Sequence, residues 1–314
     1  MKKIILITYC CFACLAIGRT QSLGRTGNIN DTITKCSPGY LLMGGSTDVD
    51  EAMRWFLQKS GGGDVVILRA SGSTGYNSYL FDLAKVNSVE TLLINSEATA
   101  LSADMANKIN NAEAIFIAGG DQWDYIRYWS NTPIQKALEY ALLVKKVPLG
   151  GTSAGLAVLG EYIFDAKLDG ITSDEALADL QSPKISISHQ FVTIQVLKHI
   201  ITDSHYSQRN RMGRHIAFMA AIQHKEGVQA KGIGIDEKSA LALEENGSAI
   251  AFGINNIFFL QLTSPRINAI TAPEVTVFTV KATPRGTGIS SIDSCFEKAV
   301  QRMQIQKGAL NRLY

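Results

Sequence analysis

Lys146-Val147-Pro148-Leu149-Gly150-Gly151-Thr152-Ser153-Ala154-Gly155 reads as an apolar strand that ends in small residues and turns at once into a helix over 154–160. The turn has the form G-x-S-x-G. A turn of this kind pushes a serine oxygen out above the carboxyl edge of a sheet and sets the next backbone N–H beside a reacting carbonyl. The stretch therefore predicts a sheet rim and names Ser153 as a nucleophile. Taken alone, it equally describes a glycine-rich strand-to-helix turn with a serine N-cap, so the decision rests on the rest of the chain.

Upstream, short apolar runs alternate with helical periodicity. Tyr40-Leu41-Leu42-Met43 ends in Gly44-Gly45, and 48–60 places Val49, Met53, Phe56 and Leu57 on one helical face before Gly61-Gly62-Gly63 stops it. A second strand (64–68), a helix (79–86), a third strand (91–94), a helix (98–111), a fourth strand (114–118) and a helix (133–144) follow. Strands that are apolar throughout and separated by helices predict an α/β fold, a mostly parallel sheet with helices on both faces. Such sheets bind ligands at the carboxyl ends of their strands. Gly44-Gly45, Ser71-Gly72, Gly119-Gly120 and Ser153 all occupy such ends, so they are expected on one rim. Beyond the helix after Ser153 the pattern shifts toward β-structure. It gives an extended segment over 184–192, a helix over 196–201, a hairpin from 232–236 and 240–243, strands over 249–253, 257–263 and 275–282, and a terminal helix over 296–306.

The chain has 314 residues, 46% of them hydrophobic, which suits one globular α/β domain over 39–314. Its formal charge of +2 gives no basic field for nucleic acid. Met1-Lys2-Lys3, an apolar run over 4–17 and small residues near Ala16 and Gly18 predict a secretory signal peptide over 1–18, hence a secreted or periplasmic protein with no membrane segment in its mature form. A polar, glycine-rich stretch over 19–38 reads as a loose leader. Three of the five cysteines fall in the signal, leaving Cys36 and Cys295 either to close one disulfide or to stay as free thiols. Cysteines and histidines at zinc-finger spacing are absent from the sequence, and neither a metal nor another cofactor is expected.

A serine needs a base to attack at neutral pH, and the base needs an orienting partner. Of five histidines, His205 stands in distinctive company: Asp203-Ser204-His205-Tyr206-Ser207-Gln208-Arg209-Asn210-Arg211-Met212-Gly213-Arg214-His215. The run reads either as a base beside arginines that grip anionic groups in two parallel bonds, or as a solvated basic helix. An α/β-hydrolase esterase shares G-x-S-x-G but places its histidine late in the chain, whereas the last histidine here is His224.

Gly119-Gly120-Asp121-Gln122, Gly151-Thr152-Ser153-Ala154-Gly155, Asp203-x-His205 with Arg209-x-Arg211-x-x-Arg214, and Gly232-Ile233-Gly234-Ile235-Asp236-Glu237, in that order, resemble the cyanophycinase family of serine exopeptidases. Those enzymes are related to the aspartyl dipeptidases and have a class I glutamine amidotransferase-like fold. The similarity covers about residues 40–285. It implies Ser153 as nucleophile, His205 as general base and Glu237 as third member of a triad. It implies Gln122, Asp203, Ser204, Arg209, Arg211 and Arg214 in the substrate pocket, and backbone N–H groups of Gly120, Asp121 and Ala154 around an oxyanion. Ser204 departs from the family, which carries glutamine there. The resemblance implies a peptide or polymer substrate rich in aspartate, and a homodimer is compatible with it. An α-aspartyl or isoaspartyl dipeptidase-like hydrolase and a non-catalytic secreted binding protein on the same scaffold are the alternatives.

Overall fold

The computed structural model describes residues 22–263, 273–298, 300–306 and 309–313; the segment over 1–18 expected to be a signal peptide lies outside them. Two sheets organise the molecule. The first runs, in spatial order, Ser22–Gly27, Ser88–Leu93, Asp64–Arg69, Ala114–Ile117, Leu149–Thr152, Tyr40–Met43, Ser239–Leu243, Ala249–Gly253 and Thr287–Ile289. The strands from Ser88–Leu93 to Tyr40–Met43 are parallel, and the outer ones are antiparallel. The second sheet runs Ala309–Leu313, Gln301–Gln306, Glu274–Lys281, Asn256–Leu262, Lys231–Ile235, Ile200–Asp203, Tyr162–Phe164 and Ile187–His189.

Alternation along the strands explains why they look largely apolar. Leu41, Met43, Val65 and Ile67 point to one face, where they pack with Ala52, Met53 and Phe56 of the helix Asp50–Gln58. Tyr40, Leu42, Val66 and Leu68 point to the other, where they join Met105 and Ile109 of Ala103–Asn111, Ile134 and Leu138 of Pro133–Tyr140, and Ile200, Ile233 and Ile257 of the second sheet. Both faces of the first sheet are covered, so its central strands are apolar on both sides over most of their length. The outer face of the second sheet packs against Met212–Glu226 through Ile216, Phe218, Met219 and Ile222, and Gly227 ends that helix at φ +70°.

Several expectations change. The leader contains an ordered edge strand, Ser22–Gly27, whose Arg25 pairs with Glu90 at 2.5 Å. The helix expected over 98–111 is two helices, because the Ser102 hydroxyl accepts from the Met105 N–H and starts a new one. The segment over 196–201 is a short 3-10 turn followed by the strand Ile200–Asp203, where β-branched residues favour the pleat. The expected terminal helix stops at Glu297; Gln301–Gln306 is a strand whose alternation puts Met303 and Ile305 toward the second core. The hairpin expected from 232–243 does not form. Lys231–Ile235 lies between Ile200–Asp203 and Asn256–Leu262 in the second sheet, while Ser239–Leu243 lies beside Tyr40–Met43 in the first. Residues 236–238 cross from one sheet to the other. Cys36 and Cys295 are both free thiols, bonded to the Lys145 and Ser291 carbonyls respectively.

Candidate active site

Glycines make the turn at Ser153. A Cβ on Gly151 would sit 2.3 Å from the Gly155 carbonyl oxygen, and one on Gly155 would sit 2.1 Å from that of Ile117. Only hydrogen fits at either place, so the helix Ala154–Ala157 starts directly above the sheet. Ser153 is held at φ +55°, ψ −116°, a strained conformation for a residue with a side chain. Its N–H donates to the Met43 carbonyl at 3.1 Å, which pins the turn to the neighbouring strand and leaves the hydroxyl projecting from the rim.

His205 arrives from the second sheet. The chain leaves Ile200–Asp203, and the His205 N–H donates to the Gly44 carbonyl at 2.8 Å. The imidazole lies against Gly45, where a Cβ would meet the ring at 2.4 Å. Glu237 sits in the crossing between the sheets. That crossing is fixed by the Asp236 carboxylate, which accepts from the Ser207 and Asn256 N–H groups, and by the Gln208 amide oxygen, which accepts from the Glu237 N–H. Three segments from two sheets thus meet at one rim. Ser153 Oγ is 2.7 Å from His205 Nε2, and His205 Nδ1 is 2.7 Å from Glu237 Oε1. A carboxylate only accepts, so Nδ1 carries the proton and the lone pair of Nε2 faces the serine hydroxyl.

Burial pushes the His205 pKa below the ordinary histidine value; the hydrogen bond to Glu237 opposes this, and the Arg209 and Arg211 charges reinforce it. The hydrogen bond to His205 in turn lowers the Glu237 pKa. The imidazole is therefore held neutral, ready to accept a proton.

The remaining residues divide. Gly119 runs against Ser153, a Cβ there lying 3.4 Å from the serine Cβ, so the Gly119-Gly120 turn and the Ala154 N–H flank the hydroxyl. Ala154 opens its helix, so its N–H has no partner within the helix. The Asp121 carboxylate caps the helix Gln122–Trp129 by accepting from the Trp123 N–H at 2.9 Å. Gln122 is half-buried, and its amide donates to the Phe164 carbonyl at 3.3 Å. Arg209 is exposed, close enough to depress the pKa values of both His205 and Glu237.

Asp203, Ser204 and Arg214 do not line an open pocket, contrary to expectation. All three are buried. Arg214 grips Asp203 in two bonds, Nε to Oδ2 at 2.8 Å and Nη2 to Oδ1 at 2.7 Å, with its guanidinium against Phe164 and Phe218. Arg211 donates to Asp203 Oδ1 at 3.1 Å and to the Ser204 carbonyl at 3.0 Å, and its Nη1 is 3.4 Å from Ser204 Oγ. Burial would raise the Asp203 pKa, yet the two guanidinium charges outweigh it and hold the carboxyl at about 2. The physical reason for the correction is the strand: Asp203 is its last residue and faces the helix Met212–Glu226, not the rim. The group braces the segment carrying His205. Sequence reasoning overlooked Gln208 and Asp236, which fix the Glu237 crossing; both stand beside residues it did single out.

The model of peptidase family S51 matches residues 40–251, a span that contains Ser153, His205 and Glu237. The chain belongs to that family. Similar proteins include a cyanophycinase of Synechococcus elongatus, 30% identical over 210 residues that make up 64% of this chain and 60% of that one. A cyanophycinase of Trichormus variabilis is 26% identical over 233 residues, 71% of this chain and 73% of that one. The chain thus matches about 60% of the length of the Synechococcus relative. A crystal structure of a peptidase from an acI-B1 actinobacterium superposes with a TM-score of 0.53 over 82% of this chain and 98% of that one, at 13% identity. The fold is of the class I glutamine amidotransferase-like kind.

Proposed function

We propose that this S51 member is a secreted serine-type exopeptidase that hydrolyses amide bonds of aspartate-rich peptides, β-aspartyl bonds bearing arginine among them. The observation that carries the reading is the continuous contact from Ser153 Oγ to His205 to Glu237, with both links at 2.7 Å. His205 Nε2 takes the Ser153 proton as the oxygen attacks the amide carbon. The Ala154 N–H and an N–H of the Gly119-Gly120-Asp121 turn receive the oxyanion, each such donor contributing about 3–4 kcal/mol to barrier lowering. The imidazolium that forms is stabilised by Glu237 and then protonates the leaving amine; water enters and the acyl-enzyme is hydrolysed by the same base. The exposed cation of Arg209 beside the triad suits a substrate carrying carboxylates. Relatives named cyanophycinase support the aspartate-rich class, and the apolar run over 4–17 supports secretion.

The test is a screen of the purified protein against insoluble aspartate–arginine polymer, β-Asp-Arg peptides and α-Asp dipeptides, beside Ser153→Ala. Wild type is expected to cleave the β-linked substrates and to be labelled by a fluorophosphonate probe, and Ser153→Ala to do neither. Turnover by Ser153→Ala in a clean preparation would remove the serine mechanism, and cleavage of α-Asp dipeptides alone would move the substrate class.

A further inference from the structure

The substrate class just proposed carries guanidinium groups, yet the charged side chains near the triad described so far are mostly cationic. Another part of the same rim holds two carboxylates beside a single arginine. A cavity of about 450 Å³ opens at the carboxyl ends of Tyr40–Met43 and Asp64–Arg69, lined by Ser46, Asp48, Asp50, Arg69, Tyr76 and Tyr79 among others. It adjoins the triad on one side. Ser46 follows the Gly45 that supports the imidazole, and its side chain helps to lower the Glu237 pKa. On the other side the Arg69 guanidinium is folded onto the Ser71 and Ser73 carbonyls, and the Ser71 hydroxyl lies 3.7 Å from where a Gly120 Cβ would stand.

Within this cavity Asp48 is short of a partner for its charge. The Tyr76 hydroxyl beside it favours its charged form, and burial still pushes its carboxyl up to about 6. Lysine and arginine are both missing from ion-pair distance of it among the described residues, whereas Asp50 has Arg54 at 3.9 Å and the Tyr79 hydroxyl at 2.8 Å. The Tyr76 and Tyr79 rings, 6.2 Å apart and tilted by 56°, line the same cavity, and aromatic rings attract a flat cation. A half-buried carboxylate in a cavity lined by aromatic rings suits a guanidinium or ammonium group.

We propose that this cavity is the subsite for the cationic side chain of the substrate, with Asp48 as the residue that meets it and Tyr76 and Tyr79 as its walls. The proposal rests on the reading of the chain as a hydrolase of β-aspartyl peptides and adds which residues select the branch. Citrulline has the shape of arginine without its charge, so the ratio of kcat/KM for β-Asp-Arg over β-Asp-citrulline isolates the cation. Wild type is expected to favour arginine by about tenfold or more, and Asp48→Asn to bring the ratio close to one. A binding measurement that needs no turnover accompanies it. Agmatine, a guanidinium without a scissile bond, is titrated calorimetrically into wild type, Asp48→Asn and Ser153→Ala. Binding is expected in wild type and Ser153→Ala, and about tenfold weaker binding in Asp48→Asn. A wild-type ratio near one, equal losses on both substrates in Asp48→Asn, or agmatine binding indifferent to Asp48 would overturn the subsite. Failure of the parent reading looks different: no β-aspartyl peptide is cleaved, while agmatine still binds in an Asp48-dependent way.

Discussion

Gly45→Ala tests whether the approach of two sheets, and not only the three reacting side chains, sets the activity. A methyl at Gly45 would lie 2.4 Å from Cε1, 2.6 Å from Nε2 and 3.1 Å from Nδ1 of His205, where ordinary contact begins near 3.4 Å. The imidazole must retreat by about 1 Å or the Gly44-Gly45 backbone must yield. Both contacts of the ring are 2.7 Å and leave it on opposite sides, so a retreat of that size misaligns both and cannot keep the two within hydrogen-bonding geometry together. A displacement of about 1 Å at a reacting group costs about a hundredfold in rate. Gly45 also sits at φ +95°, so alanine adds about 1–3 kcal/mol of backbone strain. The expected result is a folded, moderately destabilised protein whose kcat/KM falls about a hundredfold or more and whose fluorophosphonate labelling slows in parallel. The assays are steady-state hydrolysis of a β-Asp-Arg peptide, the labelling rate, and urea unfolding on the same preparation. Wild-type kcat/KM in a Gly45→Ala protein of unchanged stability would refute the argument that this glycine makes room for the base.

Three further perturbations read separate parts of the site. Arg209 is exposed and lowers the His205 pKa, so Arg209→Gln should move the acid limb of kcat/KM to higher pH, and added salt should move the wild-type limb the same way; limbs that coincide at low salt would show that the charge does not reach the base. Asp203→Asn leaves the buried Arg214 charge without its partner and should cost about 3–5 kcal/mol in urea unfolding; a raised KM at unchanged stability would restore Asp203 to the substrate pocket. His215 is buried between the Tyr206 hydroxyl and the Ile201 carbonyl, and burial lowers its pKa from 6.5 to about 4. The folded state resists the proton that the unfolded chain accepts below 6.5, so stability should fall by about 3 kcal/mol as pH drops from 6.5 toward 4. His215→Leu should flatten that part of the profile, and parallel profiles for the two proteins would count against it.

The parts of this molecule legible in its sequence are those set by local chemistry. The strand–turn–helix at Ser153 was readable because small residues at close spacing mark a tight turn: Gly151 meets Gly155 within it, although Gly155 also meets Ile117 of the neighbouring strand. The parallel sheet was readable because strands covered on both faces are apolar over most of their length. The brace at Asp203 was not, since residues two apart share one face of a continuing strand, and Asp203-x-His205 does not show that the strand ends at Asp203 and the chain turns at His205, φ +46°. The acid faces inward to Arg214 and Arg211, while the base, just past the strand, turns out to the rim.

The crossing at Glu237 was the hardest to read, and it shows why. Three residues between two apolar strands serve a hairpin and a passage between sheets equally well. What separates the two is the partner each strand finds. Ser239–Leu243 is buried at every position, and it pairs with Tyr40–Met43, far away in the chain. Had the hairpin formed, Glu237 would have pointed from a turn into solvent. Because the strands part, the crossing passes between the two sheets where the loops after Tyr40–Met43 and Ile200–Asp203 already meet, and Glu237 comes within 2.7 Å of His205. The orienting carboxylate of this site is therefore a product of long-range strand pairing. A substitution that weakened the pairing of Ser239–Leu243 with Tyr40–Met43 would loosen the His205–Glu237 contact without touching either residue.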